Sequence, residues 1–325
     1  MQQGNTKIYS SSKLEYNLLI SPLWVSISYI CLITLFPDQK VLIFTFFVLL
    51  LGETHFAATW LFFTIPENRS WISKKTIKLI VVPTSLILIF IFVGILNLQL
   101  AIILTGIFSG IHVTRQSIGI ARIYGMGKNA LDTIVIYFFS AIFLIVGAAR
   151  FVLNDFLTEN LKWNVNLDVL NVQFLIVTFC LILIAYLTLS KKSLQLKISI
   201  LTGALIYSPY AFVSESQDAV AIGVGMHWCQ YLALTYKIYL DKQIKENPKS
   251  VLPKVIFVVI YTCIMTGITS KLGKTFSWDS KIILLPLSLQ MYHFYLDAFI
   301  WKFSDPEIRF NIGGRLFKKA NSTAS

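Results

Sequence analysis

Residues 290–303 read QMYHFYLDAFIWKF and lie inside an apolar segment that begins near Lys281. On an α-helix, His293 and Asp297 are four residues apart and share one face. An imidazole and a carboxylate are therefore side by side in a segment that is apolar enough to cross a membrane. Ionisable side chains at that depth are costly and usually have a function, so the other histidines of the chain become relevant.

The composition is typical of a helical membrane protein. Of 325 residues, 56% are hydrophobic and 14% are charged, and the mean hydropathy is +0.70. Repeated long apolar runs predict an all-α, polytopic membrane protein, whereas a membrane barrel would show short alternating segments. The net charge of +12 is expected from cytoplasmic loops beside an anionic leaflet, so a nucleic-acid partner is not predicted.

About ten apolar segments are long enough to span a bilayer. Their predicted bounds are 17–36, 40–65, 76–97, 98–122, 130–152, 169–189, 198–213, 217–240, 254–271 and 281–303. No soluble domain stands out, so residues 1–325 are predicted to form a single integral-membrane domain with polar tails at 1–16 and 304–325. The seventh segment contains Ser208-Pro209, which predicts a kink or a partly re-entrant stretch.

The distribution of Lys and Arg predicts the orientation of these segments. With the N-terminus inside, 22 of the 28 basic residues fall on the inner side and 6 on the outer side. Basic residues concentrate in cytoplasmic loops, so both termini are predicted to be cytoplasmic.

The chain has four histidines, and each lies in an even-numbered apolar segment: His55, His112, His227 and His293. Under the predicted topology these segments run from outside to inside. The histidines are then 10, 10, 13 and 10 residues from the predicted inner ends. At 1.5 Å per residue, all four lie roughly 15–20 Å from those ends. We therefore predict that four histidine-bearing helices surround a central site.

Neutral imidazole is the commonest protein ligand for iron, copper and zinc. Four histidine ligands would leave an octahedral metal two open positions, enough for O₂ and a substrate. The candidate residues that orient ligands or take part in catalysis are Glu53, Asp297 and Tyr231. The candidate residues around the metal or substrate are Gln116, Gln230, Trp228, Tyr292 and Phe294. A single buried histidine more often packs between helices, but four at matched depth favour a metal.

Several of these motifs resemble a known family. Tyr292-His293 through Trp301-Lys302 resembles the late segment of the Brp/Blh family, the bacterial membrane β-carotene 15,15′-dioxygenases, in which an aspartate follows a histidine by four positions. Gly225-Met226-His227-Trp228, preceded by Tyr207-Ser208-Pro209, is similar to the third histidine motif of that family and the Tyr-x-Pro stretch before it. Ile111-His112 resembles the second motif, and His55 stands where the first lies. The chain departs from the family at Tyr231, which replaces a second histidine of the third motif, at Tyr292, which replaces a proline, and in its larger number of helices.

The resemblance implies a non-haem Fe(II) enzyme of the bacterial inner membrane that cleaves a carotenoid with O₂ to give retinal. It also implies that His55, His112, His227 and His293 are the metal ligands. Because the chain departs from the family at these positions, the predicted substrate is broader than a carotenoid. It is an apolar, lipid-like molecule that enters from the bilayer. Two other classes stay open. One is a haem-binding electron-transfer protein with axial histidines, and the other is a proton-coupled transporter that uses buried His, Glu53 and Asp297.

Overall fold

The computed structural model describes residues 8–9, 11–127, 130–153, 169–240, 248–274 and 281–316. These residues are helical nearly throughout and include no strand, which confirms the all-α class. Within them, six helices are long and apolar enough to cross a membrane: Pro37–Thr64, Ile77–Leu96, Leu98–Ile123, Leu131–Phe151, Leu252–Thr269 and Lys281–Ile300. Ser12–Ile20 and Leu23–Leu35 meet at 66° and give a seventh span if they are counted as one. The ten predicted spans stay a prediction.

The other predicted spans are helical as well. The sixth is the 21-residue apolar helix Val169–Leu189. The seventh is only the 12-residue helix Leu194–Leu205, and the chain becomes helical again at Pro209–Phe212. The break between them contains Ser208, as the sequence predicted. The eighth is made of the consecutive helical stretches Ser216–Ala219, Val220–Val224, Gly225–Thr235 and Tyr236–Leu240.

The eighth helical segment differs from the apolar spans in its environment. Residues 221–231 are all buried, so this stretch is covered by protein on every face. A helix surrounded by protein can carry polar side chains that find partners there, whereas a helix facing lipid cannot. This explains why Gly225–Thr235 includes His227 and Gln230 and is less apolar than the six spans.

The helix Ile77–Leu96 shows the opposite pattern. Its side chains Leu88, Ile89 and Phe92 are 63%, 59% and 62% exposed. Large apolar side chains clustered on an accessible surface would be a liability in water and are expected where a helix contacts lipid. The exposed apolar surface therefore agrees with a chain that is integral to a membrane.

The chain divides into two compact units. Unit 1 contains Ser11–Phe44 and Ser109–Gln230, and unit 2 contains Thr45–Phe108 and Tyr231–Ser325 together with Lys7–Ser10. Each unit contains two of the four histidines. His112 and His227 belong to unit 1, and His55 and His293 belong to unit 2.

In unit 1, polar side chains connect the first helix to the eighth helical segment. The Ser26 hydroxyl donates a hydrogen bond to the Ile222 carbonyl at 2.5 Å. Near the predicted outer end, the Tyr29 hydroxyl donates to Asp218 at 2.8 Å, and the Lys40 ammonium lies 2.7 Å from the second oxygen of that carboxylate. These bonds satisfy polar groups that would be costly inside a membrane.

Gly223 marks the closest approach of the backbone in unit 1. A Cβ atom placed on this residue would lie 2.1 Å from the carbonyl oxygen of Ile206. The Ile206 carbonyl belongs to the backbone and cannot rotate away as a flexible side chain could. Glycine at this position therefore allows the eighth helical segment to approach the turn before Pro209.

We expect Gly223→Ala to destabilise the protein by about 1–3 kcal/mol, because the added methyl group overlaps a backbone atom. The measurement is thermal unfolding of the purified protein in detergent. Gly119→Ala is the matched control, since a Cβ there meets no atom within 4 Å and alanine favours a helix. Equal melting temperatures for the two variants would contradict the packing described for Gly223.

In unit 2, the segment after the last span is held against the segment before Ile77–Leu96. Asp305 caps the short helix Pro306–Ile308, accepts a hydrogen bond from the Trp71 indole at 3.2 Å and forms an ion pair with Lys75. Burial of Asp305 raises the pKa of its carboxyl, but the hydrogen bonds from Lys75 and Trp71 outweigh that effect and lower the pKa to about 2. The start of the predicted C-terminal tail is therefore folded.

A carboxyl whose pKa falls on folding stabilises the folded state when it is ionised. The contribution of Asp305 should be fully present above about pH 4, the ordinary value for aspartate, and should disappear as the pH falls towards 2. We expect Asp305→Asn to cost about 1–2 kcal/mol at pH 7 and the difference from wild type to shrink below pH 4. The measurement is the melting temperature of both proteins across this pH range.

Glu307→Gln is the control for this prediction. Glu307 pairs with Lys74 at 2.7 Å, but both side chains are more than two-fifths exposed, so the loss should stay within about 0.5 kcal/mol. A pH-independent difference between Asp305→Asn and wild type would show that the carboxylate charge is not responsible.

Candidate metal centre

Unit 2 contains a buried pair of imidazoles. His55 lies on the helix Thr54–Thr59, and His293 lies on Leu284–Ile300. Their ring centroids are 4.4 Å apart with the rings nearly perpendicular, and each offers a ring nitrogen within 4.8 Å of the other. The Phe56 ring is 4.5 Å from the His55 ring and 5.0 Å from the His293 ring. The two imidazoles thus share one buried space with an aromatic wall.

A chain of hydrogen bonds connects His293 to Asp297 through two hydroxyl groups. His293 Nδ1 is 2.5 Å from the Thr59 hydroxyl, which is 2.6 Å from the Tyr231 hydroxyl. The Tyr231 hydroxyl donates to Asp297 Oδ1 at 3.1 Å. All four side chains are buried. The chain links residues from three helices of unit 2.

The direction of these hydrogen bonds determines which nitrogen of His293 carries the proton. The Tyr231 hydroxyl donates to Asp297, so its bond with Thr59 is one that it accepts. Thr59 must then accept from the N–H at Nδ1 of His293. Nε2 is left with its lone pair, which is the form of imidazole that binds a metal.

Asp297 also approaches Nε2 of His293 directly. The distance from Nε2 to Asp297 Oδ2 is 3.7 Å, which is too long for a hydrogen bond. Asp297 does accept a hydrogen bond from Tyr231, so two predicted catalytic residues are in contact.

Unit 1 contains the second imidazole pair. His112 lies on Leu98–Ile123 and His227 on Gly225–Thr235, with ring centroids 5.3 Å apart and the rings perpendicular. Both rings are buried, and so is the predicted pocket residue Trp228. The motifs that contain His112 and His227 are therefore in contact within unit 1.

The two glutamines predicted beside these histidines differ in position. Gln116 is half-buried, one helical turn after His112. The Gln230 side chain is buried and donates a hydrogen bond to the Leu19 carbonyl at 2.7 Å. Gln230 therefore holds the main chain of the first helix, a role that the sequence pattern did not indicate.

The remaining predicted residues lie in unit 2. The Tyr292 hydroxyl donates to the Leu79 carbonyl at 2.8 Å and so connects two helices. The Phe294 ring packs 5.6 Å from that of His293. Glu53 is buried at the end of the π-helical stretch Val48–Glu53, two residues before His55.

Sequence reasoning missed Thr59, the central member of the hydrogen-bond chain. Threonine inside a membrane helix commonly bonds the carbonyl four residues earlier, as Thr105 and Thr114 do here. One signal was available: Thr59 follows His55 by four residues and therefore lies on the same helix face.

The separation of the paired rings is compatible with two ligands of one metal ion. With a metal–nitrogen distance of about 2.0–2.1 Å, the ring centroid of a ligand lies about 3.2 Å from the ion. Two ligands at about 90–110° would then have centroids about 4.5–5.2 Å apart. The observed values of 4.4 Å and 5.3 Å are close to this range. The centroid spacing of each pair therefore agrees with adjacent positions on a metal, and the ring nitrogens of His55 and His293 also lie within 4.8 Å of each other.

The same distances argue against a haem between the paired rings. Two axial imidazoles on opposite sides of a haem iron would have centroids on the order of 6 Å apart, with the porphyrin between them. The His55 and His293 rings are closer than this and contact each other edge to face. A haem held by this pair would require the rings to separate.

Comparison with known proteins identifies no relative. No family model matches the chain, and neither a curated protein nor a solved structure is similar to it. The functional argument therefore depends on the residues and their geometry.

We expect Thr59→Val to destabilise the protein by about 1–3 kcal/mol, because it leaves two buried polar groups without their shared partner. The loss should be non-additive with that of Tyr231→Phe by about 1 kcal/mol, since both variants interrupt one chain of hydrogen bonds. Unfolding in detergent measures both quantities. Thr59→Ser should restore the wild-type value.

A second measurement separates orientation of His293 from general stability. The tautomer of His293, observed by ¹⁵N NMR, should shift away from the Nδ1–H form in Thr59→Val. Thr105→Val is the matched control, because the Thr105 hydroxyl bonds only a carbonyl of its own helix at 2.9 Å. An unchanged tautomer in Thr59→Val would contradict the hydrogen-bond direction described above.

Proposed function

We propose that this protein is an integral-membrane non-haem iron oxygenase that acts on an apolar substrate. The observation that carries the proposal is the occurrence of two buried imidazole pairs, each with the spacing of adjacent metal ligands. In addition, the hydrogen bond at Nδ1 of His293 leaves Nε2 as the nitrogen that can bind a metal. Imidazole ligands suit iron, and a site with open positions suits O₂ chemistry.

In this proposal all four histidines bind one Fe(II) ion. The motivation for a single site is the matched depth of the four histidines in the predicted topology, in which both termini are cytoplasmic and the membrane is the bacterial inner membrane. Ten spans would place each histidine on an even-numbered helix. Iron would supply the redox chemistry that O₂ requires.

The residues around the pair in unit 2 have separate tasks in the proposed site. Thr59 and Tyr231 hold the proton of His293 at Nδ1, and Asp297 supplies the negative charge that orients them. The rings of Phe56 and Phe294 pack against His293 and exclude water. An apolar, dry wall suits an apolar substrate that enters from the bilayer.

The narrower form of the proposal is carotenoid cleavage to retinal. It is supported by the resemblance of the His112, His227 and His293 motifs to the Brp/Blh family. Tyr231 occupies the position of a family histidine, and here its hydroxyl donates a hydrogen bond to Asp297. Tyr231 keeps a hydrogen-bonding group beside the proposed ligands, but the imidazole of the family is lost. We therefore propose carotenoid only as one example of an apolar substrate, whereas the metal chemistry is proposed as iron-dependent oxygenation.

We expect purified protein to contain iron and to show no Soret band. His293→Ala should lose the metal, because a ligand is removed. Asp297→Asn should keep part of the metal and reduce turnover about 10–100-fold, because it weakens the orientation of a ligand. Metal analysis and absorption spectra of the detergent-purified variants measure these effects. Tyr292→Phe is the control, since its hydroxyl bonds the Leu79 carbonyl rather than a histidine.

A haem spectrum would replace this proposal with electron transfer, and a protein that binds no metal would favour proton-coupled transport. Substrate is tested separately by coexpression in a host that makes β-carotene. Loss of pigment with formation of retinal, dependent on His227 and His293, would support carotenoid cleavage. Unchanged pigment together with bound iron would reject β-carotene and leave the oxygenase proposal in place.

A further inference from the structure

Unit 2 contains a cavity of about 260 Å³ on the side of the His55 helix. It lies between that helix, the end of the eighth helical segment and the helix Leu252–Lys274. The lining residues are Thr54, Ala58, Leu61, Leu232, Thr235, Tyr236, Leu240, Lys254, Val255, Val258 and Val259. We call this cavity the Lys254 groove.

The chemistry of the Lys254 groove is apolar with one charge. The Thr54 hydroxyl donates to the Leu49 carbonyl at 2.8 Å, and the Thr235 hydroxyl donates to the Tyr231 carbonyl at 2.9 Å. Their protons are thus used inside the protein. Lys254 is the one charged side chain among the lining residues. An occupant would therefore meet apolar walls along its length and a cation at one position.

The groove has a buried floor and an exposed rim. Ala58 and Leu61 on the floor are each 4% exposed, whereas Val255 and Val259 on the rim are 42% and 53% exposed. These rim side chains lie on a helix that is apolar enough to span a membrane, so the rim would face the lipid of the bilayer. A molecule dissolved in the bilayer could reach the floor without crossing water.

The size of the cavity limits the occupant. Pockets for small molecules usually measure about 300–1,000 Å³, so 260 Å³ has room for one chain and not for the two chains of a phospholipid. An apolar chain with one anionic end would complement both the walls and the ammonium group.

We propose that the Lys254 groove binds a single long-chain carboxylate, with its carboxylate at Lys254 and its chain along Val255, Val258 and Val259 towards Ala58. Residue 58 precedes Thr59 of the hydrogen-bond chain, so the bound chain ends beside the helix turn that holds His293. This site requires no metal and stands independently of the proposed oxygenase activity.

The test is equilibrium binding of radiolabelled hexadecanoate to the full-length protein in detergent, with and without a chelator. Lys254→Gln should weaken binding about ten-fold, as expected for the loss of one charge-assisted hydrogen bond, and should not weaken binding of the methyl ester. Lys249→Gln is the matched control, because Lys249 is exposed and outside the groove. The chelator should have no effect, which separates this result from the metal proposal.

A second pair of variants tests the position of the chain. Val258→Trp should abolish binding of both the acid and its ester, whereas Ile256→Trp, on the same helix but outside the groove, should leave both unchanged. Gel filtration verifies that the variants are folded. Unchanged hexadecanoate binding in Lys254→Gln, equal loss in the Lys249 control, or equal competition by a diacyl phospholipid would each overturn the proposal.

Discussion

The hydrogen-bond chain from His293 to Asp297 is the interaction on which the candidate site in unit 2 depends. Inside a membrane a polar group that loses water must find a partner in the protein, because lipid provides none. Thr59 and Tyr231 meet this requirement for an imidazole and a carboxylate together. Because each hydroxyl both donates and accepts, the direction of the Tyr231–Asp297 hydrogen bond determines the tautomer of His293. Removing either hydroxyl would take a partner from two groups, whereas removing either end of the chain would take a partner from one.

The same requirement separates two kinds of buried polar side chain in this protein. Gln230, Tyr292 and Ser26 bond main-chain carbonyls of other helices, so they are explained by the packing of the fold. The Thr59 and Tyr231 hydroxyls bond each other, an imidazole and a carboxylate, so this cluster joins side chains rather than main-chain groups. We therefore assign Thr59 and Tyr231 to the candidate site. Neither the residue type nor proximity to a histidine in the sequence would distinguish these two residues from the polar side chains that only hold helices together.

The sequence predicted those features that depend on local pattern. Apolar runs identified the helical spans, and the Ser208-Pro209 dipeptide identified a break. The eighth segment could be recognised as helical, but its complete burial could not, because burial depends on neighbours that are distant in sequence. The bonding partners of the candidate site show the same limit. Thr59 and His293 are separated by 234 positions, and Gln230 and Leu19 by 211. Nothing in the spacing of a single segment encodes such pairs.

The π-helical stretches before two of the histidines have a consequence for how the chain can change. Val48–Glu53 precedes His55, and Val220–Val224 precedes the stretch that contains His227. A π-helical turn accommodates one residue more than an α-helical turn and so rotates everything after it by about 100° relative to a regular helix. Deleting a single residue there would leave a regular α-helix and keep the imidazole on the same side, because the missing residue and the lost π-helical turn cancel. Converting the turn to α-helix without a deletion would instead rotate the imidazole by about 100°. In related chains, a gap of one residue at either place is therefore compatible with paired histidines.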